Sequence, residues 1–432
     1  MRREKNLRRR RTGLRLILSF KKAAWLQALQ IVAVALPVAI QLWVARRLGT
    51  FDYGRFVFVS AFAAAFALFC DFGFNWSATR LVAVHRADER KRSQLVATTL
   101  LAKAVLFLLG LALLVLLVTV VDEFAKERRL LLIASLGVLG SALVPTWYFL
   151  GLERPHVGLL LDILGRAVAL FGVVLFVRAA DDLALAVAVV AACQLLAGLT
   201  GLVLLSRERQ LSWTRPSARG IAATLAQGTP LFLSTSAVSL YTAASGLVLG
   251  FVASREQVAY FGAAQRIVAA SSTVLSPLQQ LLYPRMAYRL HHEPHNARRD
   301  VLSALFVQGG AGLAISAGML IFATPLVTLL FGEDFVPAAR VLAWMAPVPF
   351  LVSVAGVFAN YVMLGLGRDR LHLAMTLTAA VLNLVALVPL ATVHGSVGAG
   401  IALFATECFV LLFAGIAGVR LIATLPKVIR DR

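Results

Sequence analysis

Acidic residues are scarce in this chain. Asp and Glu number 21 against 42 Lys and Arg, and together the four types make up only 15% of 432 residues. A water-facing surface draws roughly a quarter to a third of its positions from these types. The composition therefore excludes the two or three soluble domains that the length alone would allow. Cysteine is nearly missing too. Cys70, Cys193 and Cys408 lie far apart inside apolar segments, which excludes a readable disulfide framework and leaves three small buried hydrophobes. No G-x-x-x-x-G-K-[ST] occurs, so no ATP-binding cassette is visible. No loop exceeds about 17 residues, too little for a soluble catalytic domain.

What is present is hydrocarbon. The chain is 60% hydrophobic with a mean hydropathy of +0.83. Apolar runs of about 20 residues recur along it, each long enough to cross roughly 30 Å of bilayer as a helix. None alternates as a barrel strand would, and a lone spanning segment must pair its own backbone. The expectation is an all-α integral membrane protein with about twelve transmembrane helices. They are read at 24–45, 56–78, 95–120, 130–150, 157–177, 183–205, 222–252, 257–283, 301–330, 337–364, 371–391 and 397–422. The Arg-rich start, Met1 to Lys22, enters the first span without an A-x-A-like cleavage site, so a retained first helix is expected.

The basic residues orient the spans. One set of segments holds the N-terminal tail, Arg80 to Arg92, Arg154, Arg207 to Arg219, Arg285 to Arg299, Arg368 to Arg370, and Arg420 to Arg432. About thirty Lys and Arg fall there against about eight in the opposite set, which marks the first side as cytoplasmic. The opposite loops, such as Asp181-Asp182 and Glu333-Asp334, are short and acidic or neutral. Both termini are expected inside. The basic tail reads as an orientation signal that attracts anionic lipid headgroups, not as a nucleic-acid arm.

A weak internal repeat supports two halves. Arg47-Leu48-Gly49-Thr50-Phe51-Asp52-Tyr53-Gly54-Arg55-Phe56 joins spans one and two, and Val252-Ala253-Ser254-Arg255-Glu256-Gln257-Val258-Ala259-Tyr260-Phe261 joins spans seven and eight. The expected organisation is a tail over 1–22, a six-helix bundle over 23–206, and a cytoplasmic linker over 207–221. A second bundle over 222–422 and a tail over 423–432 follow. Duplicated bundles with a site at their interface are a common transporter plan.

Several motifs mark the joints between spans. They are Arg46-Arg47-Leu48-Gly49-x-x-x-Tyr53-Gly54, Asp71-Phe72-Gly73 with Arg80, and Trp147-Tyr148-Phe149-x-Gly151-Leu152-Glu153-Arg154. Tyr283-Pro284-Arg285 and Gly365-x-Gly367-Arg368-Asp369-Arg370 complete the set. In this order, over nearly the whole chain, they resemble the Wzx-type polysaccharide-unit flippases, polysaccharide biosynthesis proteins of the MATE-like MOP exporter superfamily. The resemblance implies a MATE-like fold and no enzyme activity or cofactor. It implies export, across the bacterial inner membrane, of an oligosaccharide linked to an isoprenoid pyrophosphate of the undecaprenyl type. It further implies a polysaccharide polymerase or export machinery as partner. Relatives often carry an acid in span seven, where this chain reads Ala244-Ser245-Gly246-Leu247-Val248-Leu249-Gly250. Cation coupling through that position is therefore in doubt here.

Charges inside spans are the next signal, because each costs about 2.5–3.5 kcal/mol at the bilayer centre on insertion scales. Lys103 and Arg340 are read as snorkelling from helix ends. Arg266, set among Ala263, Ala264, Ala269 and Ala270, is the leading candidate to line a wet cationic cavity. Asp162 and Arg166 share a helical face as an i,i+4 pair, either structural or part of the substrate path. Arg47, Arg80, Arg154 and Arg285 from the motifs complete that path. Asp71 and Glu407 are candidate proton or cation carriers. For Asp71 a pairing with an Arg at the helix end is preferred; for Glu407 a hydrogen-bonded neutral acid stays equally open.

His291-His292-Glu293-Pro294-His295 lacks the H-E-x-x-H spacing and contains a helix-breaking proline, so no metal site is expected. Pro37, Gly228-Thr229-Pro230, Pro277, Pro325 and Pro347-Val348-Pro349 interrupt spans and are expected to bend them. Two other functions stay open: a cation-coupled multidrug exporter of the same superfamily, and a membrane-embedded glycan polymerase. The short outer loops disfavour the second.

Overall fold

A computed structural model describes residues 2–208, 216, 218–242, 245–292 and 296–430. For residues 2–24, 425–430 and scattered positions elsewhere, chiefly between 218 and 297, it describes the backbone alone. Every long element among the described residues is a helix. The first half holds α1 (Arg2–Asp71), α2 (Phe74–Val84), α3 (Glu89–Val120), α4 (Asp122–Lys126), α5 (Arg128–Leu143), α6 (Thr146–Gly151), α7 (Pro155–Phe176) and α8 (Leu183–Ser206). The second holds α9 (Ala218–Thr242), α10 (Ser245–Val252), α11 (Arg255–His292), α12 (Ala297–Ala304), α13 (Gly310–Ile321) and α14 (Ala323–Phe331). It closes with α15 (Pro337–Met345), α16 (Val348–Gly356) and α17 (Asp369–Arg430). Wider π-helical turns fill Leu305–Gly309 and Val357–Leu364.

Among the described residues, eight helical stretches are long and apolar enough to cross a membrane. Two of them, Ala28–Val84 and Asp369–Thr424, run 57 and 56 residues. At about 1.5 Å per residue either would be near 85 Å long, almost three hydrocarbon cores. The first instead breaks at Gly49, with φ 72° and ψ 178°, and again at Phe72-Gly73, and the second breaks at Gly395, with φ 59° and ψ −134°. The Gly49 and Gly395 conformations are strained for a residue with a Cβ. These two breaks fall between expected spans one and two and between spans eleven and twelve. Eight qualifying stretches do not by themselves give twelve crossings; expected span seven lies partly outside the described residues, and span eight lies on α11 with some of its side chains undescribed.

The family-like motifs lie at these helix breaks. Gly73, with φ 75°, and Phe72, with φ 43°, separate α1 from α2. Glu153 (φ 59°) follows α6 and Gly367 (φ 70°) precedes α17. Trp147, Tyr148 and Phe149 are buried in a core with Phe74, Val82 and Val96. Gly151 lets α6 settle on α2, since a Cβ there would lie 2.7 Å from the Val82 side chain. Tyr283-Pro284-Arg285 sits on α11, with side chains outside the described set, as do Pro230 and Pro277.

Loop acids finish several helices. Asp88 accepts from the Lys91 amide at 3.0 Å as the N-cap of α3, and that bond holds its carboxyl below the usual carboxylate range. Asp182 accepts from the amides of Arg178 and Ala179 at 2.8 and 2.9 Å, with the same effect.

Within the first half, α5 and α8 approach most closely through glycine. A Cβ on Gly140 would sit 2.4 Å from the Gln194 backbone, and one on Gly198 would sit 2.3 Å from the Gly140 carbonyl. Small residues bring membrane helices into backbone contact because lipid supplies no hydrophobic drive to join them. Gly140→Val should force the pair apart and cost about 1–3 kcal/mol. A thermal melt of the purified protein in detergent checks this, with Gly310→Ala, which meets nothing within 4 Å, as the neutral comparison.

Candidate functional site

Two sites of charge stand out, one at the Gly49 end of the helices and one deep between the halves. At the Gly49 end, Arg55 forks onto Glu127, with Nε to Oε1 and Nη2 to Oε2 both at 3.0 Å. Its Nη1 also reaches Asp52 at 2.8 Å. From the other half Arg255, at the start of α11, donates to Glu123 at 2.7 Å and lies 3.7 Å from Glu127. The Arg255 guanidinium also covers the Phe58 ring at 4.5 Å. Glu127 and Arg255 are 3% and 9% exposed and Arg55, Asp52 and Glu123 are half-buried around them, so the two halves share an ion network with a buried centre.

Around it the motif residues close the same end. Gly54 meets the Arg255 backbone so tightly that a Cβ would lie 1.8 Å from its carbonyl oxygen. Tyr53 is fully buried, packs edge-on against Phe335 with centroids 5.5 Å apart, and donates to Gln41 at 3.3 Å. Arg46 donates to the carbonyls of Leu329 and Leu330 at the end of α14. Ser396 and its amide bind the Gln257 side chain, tying α17 to α11.

Behind this seal lies a cavity of about 700 Å³. It runs from Gln41, Ser60 and Arg266 to Gln279, Asn360 and His372, with Glu407 on its wall. The elements that meet there are α1, α10, α11, α15, α16, the π-helical turn Val357–Leu364 and α17, so both halves contribute. Arg266 makes no hydrogen bond or ion pair with any described residue. A guanidinium held in a partly apolar cavity without a counter-ion is a ready receptor for phosphate oxygens, which it can bind in a fork.

The other sequence candidates are elsewhere. Asp162 and Arg166 form their ion pair at 2.9 Å, and Arg166 also donates to the Ala33 carbonyl at 2.6 Å. That ties α7 to α1, and neither residue lines the cavity. Arg47 stacks on Trp43 at 4.7 Å, Arg80 is exposed, and Arg154 pairs with Glu208 at 3.1 Å. The side chains of Arg285, His291 and His292, and residues 293–295 altogether, lie outside the described set. Among the described residues no cluster of His, Cys, Asp and Glu could hold a metal. Arg340 is exposed near the start of α15, where its chain can reach an interface.

Two readings need correction. Lys103 does not snorkel: it is the fifteenth residue of α3, is 3% exposed, and binds Asp71 at 3.2 Å. Asp71 correspondingly pairs with this lysine, not with an arginine at the helix end. The two are 32 positions apart on different helices, and only their packing joins them. Sequence reasoning also passed over Gln41, Gln265 and Asn360. Amides inside apolar runs were the available signal, since a polar group at that depth must face protein or water.

Residues 19–290 match the sequence profile of the polysaccharide biosynthesis protein family. The chain belongs to that family. Among curated relatives of this chain, a putative O-antigen transporter of Escherichia coli K12 is 29% identical over 375 residues, 87% of this chain and 90% of the relative. A putative O-antigen transporter of Shigella dysenteriae is 24% identical over 82% of this chain and 88% of its own. The fold resembles the lipid II flippase MurJ in an inward closed conformation, with a TM-score of 0.75, 11% identity, and coverage of 92% and 89%. It also resembles an outward-facing multidrug resistance MATE transporter of the MOP superfamily, with a TM-score of 0.56, 18% identity, and coverage of 93% and 94%. At these identities the likeness is one of fold: an all-α, multi-pass membrane protein of the MOP type.

The seal makes a stability prediction. Glu127→Gln takes the shared carboxylate from between Arg55 and Arg255 and leaves them Asp52 and Glu123 as partners, which should cost about 1.5–3 kcal/mol. Lys126→Gln removes an exposed partner of Glu123 and should change stability by about 0–1 kcal/mol. Unfolding temperatures of both variants in detergent check the contrast; equal melts would mean that the network does not hold the halves together.

Proposed function

We propose that this protein flips an isoprenoid-pyrophosphate-linked oligosaccharide from the inner to the outer leaflet of the bacterial inner membrane. The reading rests on family membership and on relatives named as O-antigen transporters. The observation that carries it is Arg266, an uncompensated cation in a cavity between the halves. A cargo with a pyrophosphate, a polar glycan and a lipid tail needs such a site. Its charges and hydroxyls would lose their water in hydrocarbon, while its tail stays in the bilayer.

In this reading twelve crossings form two six-helix bundles, 23–206 and 222–422, joined by 207–221. The tails 1–22 and 423–432 are cytoplasmic, in keeping with the excess of Lys and Arg on that side. The Gly49 end is then the outer end, sealed by the Arg55–Glu127–Arg255 network, and the cavity extends from mid-membrane toward the cytoplasm. Export would require that seal to part as the opposite end closes. Polysaccharide polymerase and export machinery are the partners that such a product calls for.

The membrane potential, negative inside, supplies a drive. Each negative charge moved outward across the full field gains about 2.3 kcal/mol per 100 mV, and a pyrophosphate carries roughly two. Outward movement therefore needs no coupled cation. Glu407, on the cavity wall, supplies the competing route through a carried proton.

Arg266→Ala should abolish complementation of a flippase-null strain while the protein still inserts at normal levels; full complementation removes Arg266 from the path. In reconstituted vesicles with no ion gradients, flipping should follow an imposed potential and persist in Glu407→Gln. Flux indifferent to potential would overturn this drive, and flux that follows a pH gradient and disappears in Glu407→Gln would assign it to that carboxyl.

A further inference from the structure

The Asp71–Lys103 pair has no part in the scheme above, yet it sits in a recess of its own. A cavity of about 350 Å³ is lined by Asp71, Asn75, Trp76, Lys103, Ser141 and Thr146, with apolar residues between them. It is not isolated. It shares Ala67 and Ser141 with a narrower space of about 230 Å³, which in turn shares Ser60 and Ala64 with the central cavity. Recesses that share lining residues thus lie in series between Arg266 and the Gly73 end of α1.

The chemistry of the recess is distinct from that of the central cavity. Lys103 neutralises Asp71 at 3.2 Å, so no net charge is left to attract a bare cation or a phosphate. Polar valences do remain. Asp71 Oδ2 and the Asn75 amide nitrogen have no hydrogen-bond partner among the described residues, while Thr146 holds Asn75 by its carbonyl oxygen at 3.2 Å. The lysine is buried and fixed, and it aims the carboxylate. Beside these groups stands Trp76, 67% exposed, a flat apolar ring on the wall of a polar pocket.

A carboxylate with a free oxygen, an amide donor, hydroxyls and an accessible indole suit one kind of ligand well. A pyranose ring has an apolar C–H face that can lie on an aromatic plane, and a rim of hydroxyls that donate to carboxylate and accept from amide. The volume lies at the lower end of the roughly 300–1,000 Å³ typical of small-molecule pockets, enough for a single sugar ring. A tryptophan that only anchored the helix at the lipid interface would not need a pocket of matched donors and acceptors beside it.

We infer that the recess bounded by Asp71, Asn75, Trp76 and Lys103 is a glycan subsite that takes one sugar ring of the lipid-linked cargo. Arg266 takes the pyrophosphate. The inference rests on the flippase reading and divides the cargo between the halves: charge on the second, sugar on the first. Trp76 stacks on the ring, and Asp71 and Asn75 bind its hydroxyls.

The test uses the full-length protein in nanodiscs of phosphatidylethanolamine and phosphatidylglycerol. Two probes are titrated: undecaprenyl pyrophosphate, and the undecaprenyl-linked oligosaccharide extracted from membranes of the cells that make this protein. The wild type should bind the glycosylated probe about tenfold more tightly, as one or two good polar contacts and a stacked ring would give. Trp76→Ala should bring that affinity down to the level of the bare lipid and leave bare-lipid binding unchanged, while Trp76→Phe keeps most of the difference. Asp71→Asn should do the same, with a melting curve to confirm folding, because it strips the buried Lys103 of its counter-charge; Trp76→Ala therefore decides the matter. If Trp76→Ala weakens both probes equally or neither, or if the wild type binds both alike, the subsite is overturned. A wild type that binds neither probe overturns the flippase reading along with it.

Discussion

A peptide group in hydrocarbon has no water to bond, so a chain that enters a membrane must stay helical until it leaves. Reversal is confined to the surfaces, and to residues that accept the backbone angles of a sharp break. This constraint explains more of the molecule than any single contact. Gly49, Gly73, Gly367 and Gly395 all hold positive φ at such breaks. Three of the four belong to family-like motifs. Those motifs are thus largely a record of where helices end and how tightly their ends pack, as Gly54 on Arg255 and Gly151 on Val82 show. A family signature of this kind identifies the fold surely and the cargo only indirectly.

Charge obeys the same solvent. Most of the 42 Lys and Arg lie outside the apolar runs, where they set orientation and reveal little about the cargo. The few charges that enter are compensated in different ways. Arg55 and Arg255 are neutralised across the two halves by Glu127, together with Asp52 and Glu123. Asp162 with Arg166, and Asp71 with Lys103, pair within the first half. Arg266 lacks any such partner among the described residues, and it is this exception that gives the central cavity its chemical character.

Much of the fold was legible before any coordinates. The start of α7 at Pro155 and of α8 at Leu183 fall within two residues of the expected spans, because proline and acidic loops punctuate the apolar runs there. The pair at 162 and 166 was legible because helical geometry puts i and i+4 on one face. Asp71 with Lys103 was not, because neighbours on different helices leave no mark in local spacing. Gln41, Gln265 and Asn360 were equally hard to weigh: an amide in a span faces protein or water, but the sequence does not say which.

The sequence by itself determined that the chain is helical and membrane-embedded, and placed its breaks, because hydrocarbon length and backbone pairing are local demands. It also nominated Arg266, because a lone charge at depth is conspicuous in one dimension. Only the tertiary structure decided what stands opposite each charge. It drew Arg255 to Glu127 and Lys103 to Asp71, left Arg266 facing a cavity with Glu407 on its wall, and opened a polar recess beside Trp76. Compensation of charge is a property of neighbours in space, and in a bundle of helices those neighbours come from distant parts of the chain.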